Sequence, residues 1–255
     1  MKPTILFLFN SSTYAPAPWV DHGGFNVVSV DYDATDHSEA HRLDRGHHRM
    51  NVDLSQAQAK DVVMERLDLW KMAKPSLVVS FAPCTDLSVA GAKHFKSKLK
   101  NDPLCQQRAL QMAKLASEFE CAYMVENPIS ILSTLWKKPT AIINPCDFSG
   151  YIGPDEQPHP EFPGLIPDGD RYMKKTCLWA GNGFVLPVRD LREPLEMDNP
   201  GWKKLGGKSA RTKYIRSLTP RGLSRAIFQA NYQRILKETI DKPKESPILE
   251  QLTLI

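Results

Sequence analysis

Ile5-Leu-Phe-Leu-Phe9 runs into Asn10-Ser-Ser-Thr13; past Pro16, Pro18 and His22-Gly-Gly24, a second run, Asn26-Val-Val-Ser-Val30, closes on Asp31. Both runs are short, apolar and bounded by turn residues, the pattern of strands buried on two faces. Strand, polar turn, short helix, strand and acidic end together make one half of a doubly wound sheet. Outward from there, Ala59, Val62, Val63, Leu67 and Trp70 share a helix face, with Ser55 and Gln58 as its capping box. Leu77-Val-Val-Ser-Phe81 is a third strand and ends in Ala82-Pro83-Cys84. Asp102-Pro103 opens a helix carrying Leu104, Ala109, Met112, Ala116 and Phe119. Ala122-Tyr-Met-Val125 is the next strand, and its end, Glu126-Asn127-Pro128, is expected to turn the chain sharply.

The rest of the chain reads more weakly. Short strands are expected at Ala141–Ile143 and around Thr176–Trp179, an irregular stretch over 188–215, and a last helix opened by Thr219-Pro220. The fold expected is α/β, a doubly wound, mostly parallel sheet with helices on both faces. Residues 1–143 form its core, 144–215 a loop-rich basic insertion or small subdomain, 216–240 a helix returning to the core, and 241–255 a fraying tail.

Composition narrows the classes. The 255 residues are 42% hydrophobic and 24% charged, enough for one sizeable core and too apolar for disorder. No run of 18 apolar residues exists, so no membrane span is expected, and the N-terminus lacks a signal peptide's apolar region. Five cysteines, odd in number and without a C-x-x-C pair, point to a reducing cytoplasm rather than to a disulfide framework or a structural metal. The formal charge is +4, yet the 24 residues from Trp202 to Arg225 hold eight Lys or Arg and no acid, leaving −4 for the remainder. Such a segment is either a solvated face or the footprint of a phosphate-bearing partner.

In an open parallel sheet, ligands bind beyond the carboxyl ends of the strands. Four such ends carry polar or reactive groups: Asn10 to Thr13, Asp31, Cys84 and Glu126. The G-x-G-x-x-G fingerprint is absent from the first. Ser11, Ser12 and Thr13 can still line an adenosine cofactor, and Asp31 is either a ribose-binding carboxylate or a turn residue. Asp53 either caps a turn or meets an adenine amine. Cys84 and Glu126 end consecutive core strands, so their side chains are expected to be neighbours. A thiolate beside a carboxyl suits addition to an electron-poor ring carbon while the acid grips a ring nitrogen.

Pro83-Cys84 after a strand, and Glu126-Asn127-Pro128 ending the next, resemble the catalytic motifs of the S-adenosylmethionine-dependent cytosine-C5 methyltransferases. Pro83-Cys-Thr-Asp-Leu-Ser-Val-Ala-Gly-Ala92, Glu126 to Ser130, and Lys174 or Lys175 through Trp179 are most similar to compact phage-associated members without a large target-recognition domain. The resemblance implies a Rossmann-like methyltransferase fold in which Cys84 attacks C6 of cytosine, Glu126 contacts N3, and Asn127 and Arg216 assist. It implies cofactor contacts from Phe9, Asn10, Ser11, Ser12, Thr13, Asp31, Tyr32, Asp53 and Pro83. Thr85, Ser88, Lys174, Lys175, Lys208, Arg211 and Lys213 would hold the substrate and its phosphate. That substrate is DNA or a free cytosine nucleotide. Two features depart from the family: Phe9-Asn-Ser-Ser-Thr13 stands where its glycine loop would be, and only about 75 residues separate Asn144 from Leu218, too few for the large recognition domain. A nucleic-acid-binding protein without cofactor turnover, and hydroxymethyl transfer to the same carbon, remain alternatives.

Overall fold

Seven strands form one mixed sheet in this computed structural model, which describes residues 1–10, 12–32, 46–197, 204–206 and 209–241. Ser11, Lys208 and nearly all of the expected tail lie outside the described residues. The strands are β1 (Thr4–Leu8), β2 (Asn26–Asp31), β3 (His47–Asn51), β4 (Pro75–Ser80), β5 (Ala122–Pro128), β6 (Ala141–Ile143) and β7 (Thr176–Gly181). Their order is β3-β2-β1-β4-β5-β7-β6. The first five pair in parallel, whereas β7 runs antiparallel to both β5 and β6. With helices on both faces, this is the topology of the class I S-adenosylmethionine-dependent methyltransferases.

The helices are α1 (Ala17–His22), α2 (Ala59–Leu69), α3 (Phe95–Asn101), α4 (Cys105–Lys114), the single turn α5 (Leu132–Leu135), α6 (Ala210–Ser217) and α7 (Arg221–Asp241). Two cores follow from the period-two alternation of β1. Ile5 and Phe7 face Trp19, Phe25, Phe148, Leu223 and Ile227. Leu6 and Leu8 face Val63, Leu67, Ala109, Ala113 and Ala116 on the other side. Both sets are almost fully buried, which is why the β1 sequence is continuously apolar rather than alternating. Gly222 lets α7 pack backbone to backbone, since a Cβ there would lie 2.1 Å from the Phe148 carbonyl oxygen.

Several local expectations are corrected. Asn127-Pro128 does not turn; β5 continues through both, because Cys177 and Thr176 of β7 pair with them. The second helix opens at Ala59, not Ser55, because the Asp53 carboxylate takes the Ser55 N–H (3.0 Å) and hydroxyl (2.6 Å) into a turn. Asp102 likewise accepts from Leu104 N (3.2 Å), and α4 begins at Cys105. Residues 210–217, expected to be irregular, form α6, whose first turn is capped by Ser209 accepting from Thr212 N (3.1 Å). The strand expected around Thr176–Trp179 does form, as β7, which lies between β5 and the edge strand β6.

Candidate active site

The carboxyl ends of β1, β4 and β5 and the start of β7 meet at one edge, where a cleft of about 1110 Å³ opens. Cys84 and Glu126 both line it. Sheet order explains their meeting: β4 and β5 are neighbours, Ser80 pairs with Val125, Glu126 follows Val125 in β5, and Cys84 lies on the turn four residues past Ser80. Three hydrogen bonds fix the two ends to each other. Asn127 Nδ2 donates to the Ala82 carbonyl (2.8 Å), Val89 N donates to Ile129 O (3.2 Å), and Ile131 N donates to Leu87 O (3.0 Å). Asn127 therefore does not line the cleft. Its side chain is wholly buried and holds the backbone two residues before the thiol. A fourth tie comes from α3, where Lys98 Nζ donates to Thr85 O (2.6 Å) and pairs with Asp86 (2.8 Å).

Burial pushes the Glu126 carboxyl above the ordinary range, and the Lys174 ammonium opposes part of that rise. Burial also pushes the Cys84 thiol up, and the charge of Glu126 adds to it. Lys174, the thiol's own backbone amide and Lys98 pull it back. Burial thus works against charge on both groups, and each nearby cation favours the charged form. Pro83, Thr85 and Ser88 line the same cleft from the Cys84 turn.

On its other flank the cleft is basic. Lys174 and Lys175 enter it immediately before β7, and Lys213 and Arg216 reach it from α6. Lys174 Nζ also donates to the Arg216 carbonyl (3.4 Å), joining the two elements. Arg211 lies outside the cleft, its guanidinium 6.0 Å from the Phe162 ring centroid.

The cleft extends to the end of β1, where Phe9, Asn10 and Ser12 line it. Phe9 is in the left-handed region (φ +54°), where a glycine would be unstrained. Asn10 and Ser12 turn inward. Asn10 Nδ2 donates to Ser12 O (2.7 Å) and Ser29 Oγ (3.0 Å), Ser29 Oγ meets His47 Nε2 (2.9 Å), and Ser12 Oγ accepts from Tyr14 N (3.1 Å). Thr13, Asp31, Tyr32 and Asp53 are not brought into the cleft. Asp31 accepts from Tyr32 N (2.8 Å), and both Asp53 oxygens serve Ser55 and Gln56. The cleft is at the upper end of the roughly 300–1,000 Å³ usual for a small-molecule site, and it runs from the end of β1 to β5. Among the described residues no cluster of His, Cys, Asp and Glu is built to hold a metal ion.

Sequence reasoning missed Lys98 and the part of the wall made by Leu218, Thr219 and Pro220. Lys98 carries no local signal, because its partners lie 12 and 13 residues upstream. Pro220 and Thr219 were visible only as a helix start.

No family model matches the chain, and no curated protein matches it. Among solved structures, an E. coli prophage-encoded chain named as a DNA modification methyltransferase is similar at 14% identity and a TM-score of 0.41, over 75% of this chain and 52% of that one. A 4-hydroxyisoleucine dehydrogenase complexed with NADH is similar at 19% identity and a TM-score of 0.27, over 47% and 51%. A short-chain dehydrogenase from Leptospira borgpetersenii with bound NAD+ is similar at 11% identity and a TM-score of 0.23, over 48% and 49%. The chain spans about half the length of each of these structures. Among the described residues, no helix is long and apolar enough to cross a membrane.

Proposed function

We propose that this chain transfers a methyl group to C5 of cytosine, in DNA or in a cytosine nucleotide, through a covalent bond between Cys84 and C6. One observation carries the reading: Cys84 and Glu126, on adjacent strand ends tied by three hydrogen bonds, line one cleft with a basic flank. The Cys84 thiol loses its proton and its sulfur bonds to C6. The C5–C6 electron pair moves to C4–C5, the C4–N3 pair moves onto N3, and Glu126, whose hold on a proton burial strengthens, is the group that protonates N3. C5 is thereby made nucleophilic. S-adenosylmethionine, when bound beside Phe9, Asn10, Ser12 and Pro83, supplies an electrophilic methyl group. Loss of the C5 proton to solvent restores the C5–C6 double bond, expels the Cys84 thiolate and returns the N3 proton to Glu126. Lys174 lies near enough to stabilise both anionic forms. Lys175, Lys213 and Arg216 are placed to hold a phosphate beside the ring. A base in a duplex must first be flipped out, because C6 is unreachable in the stack.

A 5-fluorocytosine substrate tests this, because fluorine at C5 blocks the final elimination and traps the methylated adduct. Mass spectrometry of the protein with labelled S-adenosylmethionine is expected to find ring and methyl on Cys84. Cys84→Ala is expected to abolish both adduct and turnover while substrate binding survives. Turnover by Cys84→Ala overturns the assignment. The inward hydrogen bonds of Asn10 and Ser12 favour a second reading, a nucleic-acid-binding protein that takes no cofactor; it predicts binding without any methyl transfer.

A further inference from the structure

The segment directly after the Cys84 turn is tied to it by Lys98 but buries none of its own side chains. A 3₁₀ helix, Val89–His94, leads into α3, and not one residue of either is buried. Neither element contributes to the two cores. Between Asp86 and Asp102 it carries Lys93, Lys96, Lys98 and Lys100 and no acid. Lys98 is committed to Thr85 O and Asp86. Lys96 and Lys100 lie one turn apart on α3, Lys93 lies in the 3₁₀ helix just before it, and all three are exposed. The nearest acid beyond the segment, Asp102, is already paired with Arg108 of α4, the helix packed against α3.

Position decides what this face is for. Val89 and Ala90 line the cleft, so the ridge begins at its rim. Along the sheet edge the order is β4, β5, β7. The lysine ridge follows β4, and Glu126 lies two residues before the carboxyl end of β5. Lys174 and Lys175 precede β7, whose Thr176 pairs with Pro128 at that same end. Basic residues therefore flank Glu126 from two sides. Lys96 and Lys100 span about 6 Å of the α3 axis, and Lys93, three residues earlier in the 3₁₀ helix, extends the row to about 10–12 Å. That is about three nucleotides at 3.4 Å of axial rise per phosphate of one strand, and more than a single phosphate group can touch.

We infer that the exposed face of Lys93, Lys96 and Lys100 is a docking surface for the sugar–phosphate backbone of a nucleic acid, which crosses the cleft from this ridge to the Lys174–Lys175 side. The inference rests on the proposed function for the identity of the ring in the cleft, and it selects a polymer over a free nucleotide. The Lys98 bonds hold the ridge against the Cys84 turn, so a backbone gripped there is positioned relative to the thiol.

Fluorescence anisotropy of the full chain with a labelled cytosine-containing duplex, from 0.05 to 0.5 M salt, tests it. The variant K93Q/K96Q/K100Q is compared with K71Q/K138Q/K237Q, which removes the same charge from lysines outside the cleft. The ridge variant is expected to reduce the slope of log affinity against log salt by about 2 to 3, and to weaken binding about 100-fold at 0.1 M salt. The control variant is expected to keep both, and thermal melting to be alike for all three proteins. An unchanged slope in the ridge variant, equal losses in both variants, or no binding by the unaltered chain overturns the inference. Anisotropy needs no turnover. Failure of the methyl-transfer reading shows separately, as absence of a trapped adduct on a duplex that still binds with the ridge-dependent slope.

Discussion

Asp170→Asn withdraws one charge from the most deeply buried ion pair among the described residues. The Asp170 and Arg221 side chains are 3% and 9% exposed and lie 2.9 Å apart. One carboxylate oxygen accepts from the Arg221 backbone N (2.6 Å), the other from Nη2 (2.9 Å) and Nε (3.2 Å). The remaining guanidinium hydrogens go to the carbonyls of Glu156 (2.8 Å), Gln157 (3.2 Å) and Pro158 (3.2 Å). Asp170 thus caps the start of α7 and neutralises the cation that gathers the 156–158 loop. Residue 170 has φ +54°, a conformation asparagine tolerates as well as aspartate, so the substitution spares the backbone. It leaves a buried guanidinium without a counter-charge, which costs about 3–5 kcal/mol. At about 2–4 °C per kcal/mol for a chain of this size, calorimetry is expected to show a melting temperature lowered by roughly 10 °C. Asp170→Asn/Arg221→Met removes both charges and is expected to recover part of the loss. A fall below about 2 °C in the single variant, or a double variant no more stable than it, refutes the reasoning.

Other outcomes follow from the same geometry. His47 is held at a pKa of about 4 by burial, then by Arg49 and His48, against an ordinary 6.5. The unfolded chain takes that proton first, so this contribution is complete above about pH 6.5 and is lost as pH falls toward 4, by about 3 kcal/mol; urea midpoints measured across that range should show it, and His47→Gln should flatten it. Asn127→Ala removes the buried bond to Ala82 O and is expected to cost about 1–3 kcal/mol and to lower kcat with substrate affinity nearly unchanged. Alkylation of Cys84 by iodoacetamide, followed by peptide mass spectrometry, reports the thiolate directly. Glu126→Gln should move its rise to lower pH and Lys98→Met to higher pH, since the first removes an opposing charge and the second a supporting one; shifts of both in one direction would contradict that account.

The parts of the fold legible in sequence were those whose burial is complete. β1, β2, β4 and β5 are continuous apolar runs because both of their faces are covered, and the Cys84–Glu126 neighbourhood followed from one strand–helix–strand step. β3 escaped notice because it is an edge strand, His-His-Arg-Met-Asn, with only His47 and Met50 buried. α3 escaped because its apolar pair, Phe95 and Leu99, is too short a signal and none of its residues is buried. The strand at Glu126-Asn127-Pro128 was misread as a turn because its partner, β7, lies about 50 residues further on, and local rules for proline cannot see it. At the site, residues on strand ends were placed well, whereas the acids expected at the cofactor were not brought to the cleft. Asp53 and Asp31 satisfy nearby backbone and side-chain donors, a competition that short polar side chains always offer.

The wedging of β7 between β5 and β6 sets a timetable for a chain emerging from the ribosome. Strands β1 to β5 can assemble as soon as residue 128 is out, but the outer side of β5 then stays bare until residues 176–181 arrive. β6 is made earlier and has no neighbour of its own until that moment. For that interval the nascent protein exposes an open strand beside its acid, the kind of edge that recruits a second chain. Production yield should therefore depend on how quickly the proline-rich stretch before residue 176 is delivered and closed.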